Sequence, residues 1–136
     1  MKAGGTRMGF KEKQMDNNSK KELEAASQLI SSTIVKCEKM QFKFAEGTSQ
    51  HSLLKNRIKA LYISKAFIEN NSKIGLFTES DLEKALPPVL SIIHKTGKAQ
   101  NKYDKESVQY RRLAPIIRAM ELSKELIENE IRNRKQ

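Results

Sequence analysis

The chain has one cysteine, no tryptophan, three prolines and six glycines in 136 residues. Each scarcity excludes something. A single thiol, Cys37, leaves no internal disulfide to form and fits a reducing compartment, so a cytoplasmic location is expected. Cys37 also falls on an apolar helical stripe, which makes it a small core residue rather than a nucleophile. Aromatic residues make up 6% of the chain, too few for a β-sandwich built on alternating Val, Thr, Tyr and Phe. The longest apolar runs resemble LPPVLSII (86–93), far short of the ~20 residues that cross a membrane. The glycines are scattered, so no phosphate-cradling loop is present. The opening MKAGGTRMGFKEKQMDNN has charges but no apolar core of a secretory signal. His51 and His94 lack partners at metal-ligand spacing, and no paired carboxylates suit acid/base work. No cofactor, no metal and no catalytic residue is therefore expected, and the chain reads as a non-enzyme.

What is present is charge and helix-forming residues. Lys, Glu, Leu, Ile and Ala dominate, and this vocabulary favours helices. Its Lys-, Ile- and Asn-rich character suggests a bacterial source with an AT-rich genome. Twenty-six basic residues against 16 acidic ones give a net charge of +10. Such an excess suits an acidic partner or serves solubility. Gly4, Gly5, Asn17, Asn18 and Ser19 argue against early structure, so residues 1–20 read as a flexible basic arm. The remainder, 21–136, reads as one domain.

Residues 22–70 align with 81–129 without a gap, at an offset of 59. Eighteen of the 49 positions are identical, where about three would match by chance at this composition. SKAFIEN (64–70) and SKELIEN (123–129) are the clearest echo. The pattern reads as a tandem repeat of one supersecondary unit, with a linker at 71–80 and a basic end at 130–136.

The unit is an αα-hairpin. At 100° per residue, Leu23, Ala26, Ile30, Thr33, Ile34, Cys37, Gln41 and Phe44 share one face of a first helix. Thr48, and Ser107 in the second unit, are placed to cap a second helix that starts at Ser49 and runs to about Asn70. Leu54, Ile58, Leu61 and Ile68 face inward there. Asn70, Asn71 and Gly75 end it, and Thr78 or Ser80 caps the third helix. Pro87 and Pro88 predict either a kink or a late start with Pro87 in the first turn, and Pro115 predicts a kink in the fourth helix. Gln41 with Gln50, and Gln100 with Gln109, are expected to bond across the loops. Ala60, Ile63 and Phe67 form a second apolar side on the second helix, as Ala119, Leu122 and Leu126 do on the fourth, so these helices are central or form an interface. The fold expected is all-α: two tandem homologous hairpins forming an antiparallel four-helix bundle. A homodimer that exchanges hairpins is the alternative.

The candidate partner-binding residues are basic. Lys36, Lys39 and Lys43 form a ladder opposite the core stripe, and Lys95, Lys98 and Lys102 repeat it. Lys59 and Arg118 are an equivalent pair on the second helices. The bland reading of all eight is a solvated face. The functional reading is a docking surface for a macromolecule, most readily another protein. Sequence-nonspecific nucleic-acid binding through the ladders is the second reading, and no helix-turn-helix pattern accompanies it.

Overall fold

These periodicities produce four long helices in the computed structural model, which describes residues 2–136 and, within the first helix, side chains from Lys20 onward. The helices are α1 (Lys2–Gln41), α2 (Ser49–Glu69), α3 (Glu79–Gln100) and α4 (Val108–Arg134), with a short 3-10 turn at Ser72–Leu76. Among the described residues there is no strand. The arm expected over 1–20 lies, as far as Ser19, outside the described side chains.

Local chemistry sets the boundaries. The Thr48 hydroxyl accepts from the His51 N–H at 3.2 Å, and the Ser107 hydroxyl from the Tyr110 N–H at 3.1 Å. Each satisfies an orphan amide at a helix start. α2 ends where Asn70 turns left-handed (φ 50°, ψ 46°). The Asn70 N–H then reaches Phe67 O, and the Asn71 N–H reaches Ala66 O, both at 3.1 Å. This double bond to the last carbonyls is the ending that Asn and Gly permit. Thr78 and Asp81 cap α3 reciprocally, through Asp81 N–H to Thr78 Oγ1 at 3.0 Å and Thr78 N–H to Asp81 Oδ2 at 2.9 Å.

Two expectations need correction. α3 begins at Glu79, so Pro87 does not open it; Pro87 and Pro88 lie in its interior, as Pro115 does in α4. Each proline removes a donor that would bond the carbonyl four residues earlier. Those carbonyls belong to Glu83, Lys84 and Arg111, all exposed residues where water can serve instead. α1 ends at Gln41, so Phe44 sits in the loop and is 37% exposed rather than on the core face.

The helices pair in antiparallel fashion. Ser27 of α1 donates to Glu69 near the end of α2 at 2.6 Å, while Tyr62 donates to Glu38 at 3.0 Å. α2 touches α1, α3 and α4, and α4 touches the other three as well; α1 and α3 do not meet among the described residues. α2 and α4 thus lie on the short diagonal of the bundle, which accounts for their two apolar sides. In α2, Ala60, Leu61, Ile63, Ala66, Phe67 and Ile68 are all buried. In α4, Ala119, Met120, Ile127 and Ile131 are buried, whereas Leu122 and Leu126 are half-buried. Ser64 and Ser123 share the core, and each satisfies its hydroxyl on a carbonyl of its own helix, Ala60 O at 2.8 Å and Ala119 O at 2.9 Å.

The α2–α3 linker is strapped from the far end of the chain. Arg134 donates to Phe77 O at 2.6 Å and Ile74 O at 3.0 Å, and pairs with Glu130 at 2.7 Å. Lys135 lies 3.8 Å from Glu79 and 3.7 Å from Glu83. Both hairpin loops, 42–48 and 101–107, therefore sit at one end of the bundle, and the linker sits at the other.

Candidate partner-binding end of the bundle

The loop-bearing end collects most of the charge. Residues 35–57 and 94–114 include six of the eight candidate residues: Lys36, Lys39, Lys43, Lys95, Lys98 and Lys102. Lys55, Arg57, Lys105, Arg111 and Arg112 join them. Against these eleven cations stand four carboxylates, Glu38, Glu46, Asp104 and Glu106, which leaves +7 of the chain's +10 in these two segments. All six ladder lysines are exposed. Only Lys36 and Lys39, and Lys95 and Lys98, lie on helices, α1 and α3, which are not in contact. Lys43 and Lys102, expected on the same helical faces, sit instead in the two loops, because each helix stops two residues earlier.

Lys59 and Arg118 lie further from the loops. Lys59 pairs with Asp81 at 3.0 Å, bridging α2 to the start of α3. Asp81 is held down to about 2, first by the Thr78 backbone N–H and then by Lys59. Arg118 is exposed beside a shallow apolar gap between α1 and α4, lined by Ala26, Leu29 and Pro115. Lys59 is thus partnered while its side chain stays 63% exposed, and the six ladder lysines make no ion pair among the described residues.

The same end gathers exposed apolar side chains, which charge periodicity could not reveal. Val35, Met40, Phe42, Phe44, Leu53, Tyr103 and Val108 are exposed there, and Phe42 reaches 91%. Tyr62, bonded to Glu38, is exposed beside them; elsewhere, Leu76 and Leu90 are the large apolar residues left open among those described. Apolar groups ringed by charge are the composition of a docking face. The only sequence signal was the Phe42-Lys43-Phe44 alternation just past the end of a helix.

Electrostatics at this end follow from local partners. The Tyr62 hydroxyl is raised above its ordinary value, chiefly by its bond to Glu38. Cys37 is buried and its thiol is raised by that burial, with Arg57 acting in the opposite sense. The Nε of Arg57 is buried without a partner among the described residues. Neither expected glutamine pair forms among the described residues: Gln100 Nε2 crosses its loop, but to the Tyr110 backbone carbonyl at 3.1 Å rather than to Gln109. Gln50 and Gln109 are exposed and do not take part. An open cleft of about 680 Å³ lies beside the first loop, with Gln41, Phe42, Phe44, His51 and Lys55 in its walls.

Two further grooves are present. One of about 750 Å³ at the linker end is lined by Leu23, Phe67, Leu122 and Leu126 together with Asn70 and Asn133. The other, of about 540 Å³, runs between α2 and α3 past Arg57, Pro87 and Pro88. Among the described residues no three His, Cys, Asp or Glu side chains converge as metal ligands, and no helix is long and apolar enough to cross a membrane. No protein-family model, no curated protein and no solved structure matches the chain.

Proposed function

We propose that this is a small, non-enzymatic, cytoplasmic binding protein that engages another protein through the loop-bearing end of its bundle. One observation carries the reading: net charge and exposed apolar surface concentrate at the same end, while the rest of the described surface is close to neutral. We further propose that the bundle is a tandem duplication of one hairpin. Supporting this, the loop bond from Phe44 N–H to Gln41 O at 3.1 Å has a counterpart from Tyr103 N–H to Gln100 O at 3.0 Å. The ion pairs Lys65–Glu69 and Lys124–Glu128 recur at the same offset of 59.

The second reading, nonspecific nucleic-acid binding, is favoured by the lysine ladders. Weighing against it, the helical lysines of the two ladders, Lys36 and Lys39 on α1 and Lys95 and Lys98 on α3, sit on helices that do not touch, so they line no continuous track for a phosphate backbone. The test is capture of partners on the immobilised protein before and after nuclease treatment, repeated across a salt series. A protein partner held by apolar contacts survives nuclease and salt. A nucleic acid is lost to nuclease, and its affinity falls steeply with salt as counterions are released. In that case replacing Lys36, Lys39, Lys95 and Lys98 by Glu abolishes binding.

A further inference from the structure

We infer that the loop joining α1 to α2 is the anchoring socket of this surface, and that it receives one apolar side chain flanked by carboxylates on an acidic segment of a partner protein. The inference rests on the protein-binding reading above. The two loops differ in what they leave open. At the second, the Gln100 bond to Tyr110 O ties the end of α3 to the start of α4. At the first, Gln41 makes no such bond among the described residues, and its side chain lines the cleft instead. Gly47 at the rim holds φ at 87°, a conformation that Glu106, at the matching place, does not adopt. Phe42 stands almost wholly in water, where the second loop has Asn101. A hydrated phenyl ring beside an open cleft is surface that a partner can cover with gain. Lys43 and Lys55 border the same place, and Glu46 is the one carboxylate in the cleft wall. The two phenyl rings, Phe42 and Phe44, offer the apolar contact for an anchor side chain, and the lysines favour acidic neighbours. The exposed companions on the adjoining helices, Val35, Met40 and Leu53, are aliphatic, which suits a protein contact better than stacking of bases.

Fluorescence anisotropy of the full chain tests this with three labelled probes: a short peptide carrying one phenylalanine among glutamates, the same peptide with glutamines, and oligo-dT. The glutamate peptide is expected to bind and the glutamine peptide to fail. Phe42→Ser and Lys55→Glu should each weaken binding by about tenfold or more, and Asn101→Ser should leave it unchanged. Phe42 is exposed, so Phe42→Ser should unfold as the parent does, which a urea titration checks. Peptide binding that ignores Phe42→Ser and Lys55→Glu overturns the socket and leaves the protein reading standing. Absence of peptide binding also overturns the socket, while survival of captured partners after nuclease still supports the broader reading. Tighter binding to oligo-dT than to either peptide overturns both.

Discussion

Asn70 ends α2 in the left-handed region, with two backbone bonds depending on that conformation. Asn70→Ala should therefore lower stability by about 1 kcal/mol, while Asn70→Gly should be neutral or mildly stabilising, as read from urea midpoints. Gly47, at φ 87°, has open space where a Cβ would go, so Gly47→Ala meets only backbone strain and should also cost about 1 kcal/mol. Asp81 gives a pH signature. Its ionised form is favoured by the fold and its value is held down to about 2. The stability it contributes is present above the ordinary carboxylate range near 4 and is lost as pH falls toward about 2. Asp81→Asn should flatten that part of the acid limb in thermal melts. Caps such as Thr48 and Ser107 were legible from sequence because donor and acceptor lie three residues apart, while the third helix offered Thr78 or Ser80 and the fold uses Thr78. Arg134 read only as a cation at a helix end, because the carbonyls it bonds lie 57 and 60 residues away.

Helices were legible as elements because each carries an apolar stripe; the two-sided faces of α2 and α4 left open a central place or an interface, and their packing against every other helix takes the first. Proline position was the ambiguous part. Propensity alone could not choose between a late start and an interior proline, and the Thr78–Asp81 box decided for the earlier start. With Pro115 inside α4, Pro115→Ala restores a donor for the Arg111 carbonyl. The gain is offset in part by a freer unfolded chain, so a net stabilisation of about 1–2 kcal/mol is expected in denaturant unfolding. The strap at the linker should act the other way. Arg134→Ala removes charged bonds to two carbonyls at a half-buried site and should lower stability by about 2 kcal/mol. Cleavage at Lys73 by trypsin should accelerate at the same time, since the 3-10 turn loses its brace.

For the molecule as a whole, four apolar stripes separated by short breaks made an all-helical chain legible, and their pairing made a bundle the economical packing. The candidate surface was only partly legible. Lysine spacing showed which residues lie opposite the core, but not that both ladders fall toward one end, that α1 and α3 stand apart, or that Lys59 is engaged by Asp81. Those facts depend on how hairpins stack. Phe42 and Phe44 were hidden for another reason: the helical period continues in the sequence past Gln41, where α1 in fact ends, and so puts Phe44 on the core face.

Gln136 lies two residues past Arg134, at the end of the bundle remote from both loops. A chain grafted to a bead or sensor chip by its C-terminus stands with residues 42–48 and 101–107 facing bulk solvent, and a dye placed there reports on binding without crowding it. Attachment through Cys37 would not serve, because that thiol is buried and must be uncovered before it can react.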